Sequence, residues 1–308
     1  MILLKQMLVL FTMMLVGVYC RKKGIFNDEA NKRISSLVVN VANPALILSS
    51  SINQEAVIEG MEFVKTFLLA WGMFGVLMVI AVFMPKILRA DVKEYGTYRT
   101  MTIFSNIGFM GFPVIDALYG SEALLYATMF LIPFNVLIYT YGISVMKMHT
   151  SGDTPTTGFQ LRKILNVGVI SCVVALVIYL TKLPMPEVVE NAVDSISGLT
   201  APLSMMVIGD SLTKINLKKL FCNVKMLVFS AIKLLLIPIV GVSLIKLLGL
   251  NPLLTGVCMI MLATPVGSMN AMLAQEYGGD YELASQGVTI TTLLAVATMP
   301  LVSWLMQI

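Results

Sequence analysis

Charge is scarce in this chain: of its 308 residues only 12% are Asp, Glu, Lys or Arg, about half of the roughly 25% in a soluble domain. At roughly 150 residues per domain the length would suggest two soluble domains, but there are too few charges to solvate their surfaces. Histidine occurs once, as His149 in a polar stretch, so no histidine cluster can hold a metal. The four cysteines, Cys20, Cys172, Cys222 and Cys258, are far apart with no C-x-x-C spacing. Apolar neighbours make them packed thiols rather than a disulfide or metal framework. Paired acids and an H-E-x-x-H motif are absent too, which disfavours a membrane enzyme. What the chain does have is 57% hydrophobic residues and a mean hydropathy of +0.88, arranged in runs of about 20, the length that spans a hydrocarbon core. This composition reads as an all-α polytopic membrane protein and argues against nucleic-acid binding, soluble catalysis and secretion.

The runs predict ten transmembrane helices, at approximately 2–20, 33–53, 62–84, 98–119, 122–146, 162–181, 188–213, 225–248, 253–276 and 281–306. No basic region or cleavage site precedes the first run, and Arg21, Lys22 and Lys23 follow it. It is therefore a retained helix rather than a signal peptide. Alternate connectors collect the cations: Arg21, Lys22, Lys23, Lys32 and Arg33; Lys86, Arg89, Lys93 and Arg99; Lys147, Arg162 and Lys163; Lys214, Lys218, Lys219 and Lys225. These are sixteen of the 21 basic residues, whereas Glu55, Glu59, Glu62, Glu187 and Glu190 occupy the other side. Lys/Arg excess marks the cytoplasm, so both termini are expected outside the plasma (inner) membrane. The net charge of +4 reads as topology and contact with anionic membrane lipids, with no polyanion partner.

A weak internal repeat runs through the chain. Ala117-Leu118-Tyr119-Gly120 and Gln275-Glu276-Tyr277-Gly278 each close a run with a tight Tyr-Gly turn, about 158 residues apart. Pro44 in the second run and Pro202 in the seventh have the same spacing. A period of five helices inverts the second copy in the membrane, which gives two inverted repeats: 1–147 and 162–308, joined by a cytoplasmic connector at 148–161. Inverted repeats are a transporter architecture, with the site near the midplane where broken helices meet. The fourth and ninth runs are the interrupted ones. Ser105-Asn106-Ile107-Gly108-Phe109-Met110-Gly111-Phe112-Pro113 and Ala263-Thr264-Pro265-Val266-Gly267-Ser268-Met269-Asn270 each place glycine, proline and asparagine at mid-span. Proline removes a backbone donor and glycine lets the chain leave helical dihedrals. The freed groups are tolerable in a membrane only beside protein or a watery cavity. Asn106, Gly108, Gly111, Pro113, Pro265, Gly267, Ser268 and Asn270 are therefore the candidate substrate-binding residues. Broken ends offer N–H groups to an anion and carbonyls to a cation.

Asn106-x-Gly108-x-x-Gly111-x-Pro113 with Tyr119-Gly120, and Ala263-x-Pro265-x-Gly267 with Ala274-x-Glu276-Tyr277, resemble the two crossover helices of the auxin efflux carrier family. That family includes plant auxin carriers and bacterial permeases proposed for malate or malonate. The likeness extends over essentially the whole chain, through Arg21–Gly24, Pro44, Pro202, Lys233 and Pro238. It implies ten helices in two inverted repeats with helices 4 and 9 crossing, export or exchange of small organic anions, and usually a homodimer; no cofactor is expected. Asn270 stands where plant members carry a proline, which puts the unwinding of the ninth helix in question. The long cytoplasmic loop of some plant members is absent.

Lys233 lies inside the eighth run, where a charge costs a few kcal/mol unless it snorkels or finds a partner. The sharper expectation is that its ammonium caps carbonyl ends at the crossing, a fixed charge in place of a bound cation. Asp116 and Asp210 sit near span ends, on solvated faces. The reading is a secondary transporter moving a small carboxylate, such as malate, malonate or an auxin-like acid, across the plasma membrane by alternating access, with Asn106 donating to it. The rival is a sodium- or proton-coupled symporter or antiporter of a related crossed-helix fold, which would want carboxylates at the crossing.

Overall fold

In the computed structural model, residues 2–52, 60–147, 167–213 and 222–308 are described. The expected connector at 148–161, and with it His149, lies outside them, as do Glu55, Glu59, Arg162, Lys163, Lys214, Lys218 and Lys219. The α-helices are α1 (Ile2–Lys22), α2 (Asp28–Leu37), α3 (Asn43–Ser49), α4 (Gly60–Ile87), α5 (Tyr95–Ile103), α6 (Phe112–Leu137) and α7 (Ile143–Lys147). They continue as α8 (Val167–Thr181), α9 (Glu187–Ser197), α10 (Thr200–Leu212), α11 (Val224–Ala231), α12 (Ile237–Leu247), α13 (Pro252–Ala263), α14 (Met269–Tyr277) and α15 (Tyr281–Met306). Among the described residues there is no strand, only one isolated antiparallel bridge, Ser105 to Val266. Six helical stretches are long and apolar enough to cross a membrane, and Val167–Thr181 and Pro252–Ala263 are shorter apolar helices. The chain is an all-α polytopic membrane protein.

The helix ends follow local chemistry. Asn27 caps α2 by accepting from the Ala30 N–H at 2.7 Å, with Asp28 and Glu29 in the first turn where the helix dipole favours anions. Asn223, Asn251 and Asp280 cap α11, α13 and α15 in the same way. The two Tyr-Gly turns both depend on positive φ, +75° at Gly120 and +81° at Gly278, a region that side chains with a Cβ avoid. Four stretches widen into π-helix: Val38–Ala42, Ile107–Gly111, Ile138–Gly142 and Ile232–Leu236. Three of them end two residues before a proline, Pro44, Pro113 or Pro238. The pyrrolidine ring cannot donate to the preceding turn and collides with its carbonyl, and an inserted residue relieves both faults.

The chain divides into two compact units, each drawing on both halves of the sequence. The first comprises Met1–Phe67, Gly108–Ile132 and Leu165–Lys214. Its core is the crossing of α1 with α10. A Cβ at Gly17 would overlap the Met206 carbonyl oxygen, and one at Gly209 would overlap that of Met14. The two backbones therefore touch, as small residues allow in membrane helix pairs. Below this contact Asp210 is fully buried. Asn31 Nδ2 donates to its Oδ2 at 2.6 Å and Arg21 Nη1 lies 3.6 Å from Oδ1. The expected solvated face is thus corrected for Asp210: the close helix crossing excludes water, and partners from α1 and α2 replace it. Asp116 is exposed. Cys20, Cys172 and Cys258 are packed, whereas Cys222 is exposed.

The second unit comprises Leu68–Ile107, Pro133–Ile164 and Ile215–Ile308. Gly96 packs against the Val145 carbonyl, and the Phe104 ring meets Phe134 edge-on with centroids 5.6 Å apart. Tyr98 and Phe229 pack at 5.5 Å.

Candidate functional site

The site of the second unit is built where α5 and α13 stop. The helix α5 ends at Ile103, and Phe104 turns extended at φ −95°, ψ 91°. The helix α13 ends at Ala263, with Thr264 at φ −62°, ψ 144°. The freed backbones pair with each other. The Asn106 N–H donates to the Pro265 carbonyl at 2.7 Å, and the Gly267 N–H to the Phe104 carbonyl at 3.0 Å. A third donor, the Val266 N–H, reaches the Thr291 hydroxyl at 3.0 Å. Backbone groups that would be unaffordable in hydrocarbon are so satisfied within the protein. Position 267 must be glycine, because a Cβ there would stand 2.9 Å from the Ser105 carbonyl oxygen.

Side chains then lock the crossing. Asn270 Nδ2 donates to the Phe104 and Gly267 carbonyls, each at 2.8 Å. The question raised by the missing proline is thereby answered: α14 resumes at Met269, and the asparagine pins the break from the first turn. Lys233, carried on the π-turn before Pro238, is fully buried. Its ammonium donates to the Thr102 carbonyl at 3.1 Å and the Ser105 hydroxyl at 2.7 Å. The Thr102 carbonyl belongs to the last turn of α5, where the helix dipole favours a cation. Among the described residues no carboxylate pairs with Lys233.

Part of the polar capacity is unspent. Among the described residues Asn106, 4% exposed, has its Nδ2 buried without a partner, and Asn270 likewise has an unpartnered Oδ1. The N–H groups of Ser268 and Met269 find no acceptor among the described residues, while those of Val266, Gly267 and Asn270 are taken. The two breaks share one exposure profile: residues 101–107 and 261–267 are buried, 108–109 and 268–269 half-buried, and 110 and 270 buried again.

Of the residues singled out in the sequence, Asn106, Pro265, Gly267, Ser268, Asn270 and Lys233 come together in this unit. Gly108, Gly111 and Pro113 belong to the first unit. There Gly108 faces the Asn43 amide, and Pro113 lines a cavity of about 180 Å³ together with Gln6, Leu46, Asp116 and Thr200. Sequence reasoning passed over Ser105, Thr102 and Thr291. The run Thr289-Ile290-Thr291-Thr292, hydroxyls inside an apolar helix, was the available signal.

Comparison with known proteins matches residues 2–303 to a family described as membrane transport protein. The chain belongs to this family. It is the auxin efflux carrier type that the motifs of the fourth and ninth runs resemble. Similar relatives are an uncharacterized transporter of Methanocaldococcus jannaschii, 23% identical over 314 residues and 97% of each chain, and another of Methanothermobacter thermautotrophicus, 23% identical over 298 residues and 96% of each. A lysosomal cholesterol signaling protein of Mus musculus is 19% identical over 96% of this chain, which spans 36% of that protein. A multi-pass transport protein thus carries its interrupted helices where the polar groups just described converge.

Proposed function

We propose that this transport protein is a secondary transporter that moves a small carboxylate, of the malate or malonate kind, across the plasma membrane by alternating access. The observation that carries the reading is the buried crossing in which, among the described residues, Lys233 has no carboxylate partner and the Asn106 amide keeps a free donor. A buried cation without a counter-ion favours an arriving anion. A neutral amide on the residue after Ser105, which the lysine holds, adds a hydrogen bond without the strong pairing of a second cation, so the anion can leave again. The free N–H groups of Ser268 and Met269 at the start of α14 suit the same charge. In this reading the chain has ten transmembrane helices in two inverted repeats, with both termini outside, and it works as a homodimer without catalysing a reaction.

The antiporter reading wants a carboxylate at the crossing. The fully buried carboxylate among the described residues is Asp210, which belongs to the first unit and lies against Arg21. The test is counterflow of labelled malate into proteoliposomes preloaded with unlabelled malate. Accumulation above that in protein-free liposomes supports the reading. No accumulation for malate, malonate or a range of monocarboxylates would overturn it.

A further inference from the structure

Asn270 has an amide whose orientation chemistry decides. Its Nδ2 lies 2.8 Å from two carbonyl oxygens, Phe104 and Gly267. Rotated by half a turn, the amide would set its own oxygen against both, with no proton between them. Oδ1 is therefore an acceptor only. It is buried in a residue that is 0% exposed, and no donor meets it among the described residues. The threonine hydroxyls on the adjoining segments are spent: Thr264 donates to the Met261 carbonyl, Thr291 to Gly287 and Thr292 to Val288. An unpaired buried acceptor is costly, and no donor among the described residues relieves it.

We infer that Asn270 determines specificity: its Oδ1 accepts a hydrogen bond from an O–H that the cargo presents beside the carboxylate. This rests on the carboxylate reading above and narrows it. Lys233 disfavours an ammonium as the donor, since a second cation would then be brought to a cation with no counter-ion. The donor is an O–H, either the hydroxyl of a hydroxy acid or the retained proton of a half-neutralised diacid. A plain, fully ionised carboxylate would leave Oδ1 unpaired, and sites built to bind a hydroxyl reject the analogue without it.

The experiment compares exchange of labelled L-malate and succinate in proteoliposomes held at the same pH on both sides. It is run at about pH 8, where both acids are fully ionised, and at about pH 5.5, where part of each keeps a proton. If the hydroxyl is the donor, malate exchanges about tenfold or more faster than succinate at the higher pH. If the acid proton is the donor, both are slow there and rise together, about tenfold, at the lower pH. Equal rates for the two acids at the higher pH, unchanged at the lower, would overturn the inference. In Asn270→Ala the malate preference at the higher pH, or the shared rise at the lower, should be lost, and either one kept in the folded variant would overturn the inference; should that variant not fold, the wild-type rates still decide. Absence of exchange for either acid at both pH values would instead strike the carboxylate reading, and this inference with it.

Discussion

The two compact units solve the same problem, holding helices together in a membrane, by opposite means. In the first, α1 and α10 run unbroken past each other and touch backbone to backbone at Gly17 and Gly209. In the second, α5 and α13 are interrupted, and what joins them is a short exchange of backbone hydrogen bonds fastened by Lys233 and Asn270. The helical pair satisfies its backbone within each helix, and the polar side chains beside the contact, Arg21 and Asp210, face each other. The interrupted pair leaves a donor on Asn106 and an acceptor on Asn270 unspent. The difference teaches where function can sit: close-packed unbroken helices offer a ligand no backbone group, whereas interrupted helices free donors and acceptors at mid-span.

Substitutions can break this contrast, beginning with the largest effect. Gly209→Ala puts a methyl group into the Met14 carbonyl, and the helices can only separate, at a cost of about 3 kcal/mol. The expected outcome is a large fall in thermal stability in detergent, read by size-exclusion profiles after heating. An unchanged profile would mean that the α1–α10 contact is not close. Lys233→Met comes next. It removes a buried charge but leaves the Thr102 carbonyl without its donor, about 1–3 kcal/mol, and transport per inserted molecule should fall at least about tenfold. Lys233→Arg, which keeps the cation, should retain part of it. Near-normal transport and stability in Lys233→Met would remove the charge from the account. Asp210→Asn is the smallest: the neutral amide still meets Asn31 but leaves Arg21 with the weaker partner. A loss of about 1–2 kcal/mol is expected, with transport by the inserted protein unaltered. A transport defect without a stability loss would move Asp210 from structure to mechanism.

How much of this was readable in advance follows the same contrast. The breaks were legible because proline, glycine and asparagine are conspicuous in an apolar run, and Lys233 because any charge is. The pinning role of Asn270 was not: it depends on the Phe104 carbonyl, 166 residues away in the chain, freed only when α5 ends. Gly17 and Gly209 were not legible either, since a glycine in a membrane helix carries no mark of the helix it will face. Asp210 misled for a related reason. Its place near a span end suggested water, yet the partners that bury it, Asn31 and Arg21, come from distant sequence. Local composition reports where a helix will break, but not which backbone will fill the break.

The central claim is that the crossing of the interrupted helices is the transport site and that its unspent groups are there for cargo. Asn106→Ala tests it most directly, because Asn106 Nδ2 has no partner to lose while its backbone N–H, which holds the Pro265 carbonyl, survives the substitution. The measurement is malate counterflow per correctly inserted molecule, with thermal stability in detergent beside it. The account predicts a stability within about 0.5 kcal/mol of wild type and transport reduced at least about tenfold. Wild-type transport in a normally inserted Asn106→Ala protein would contradict it.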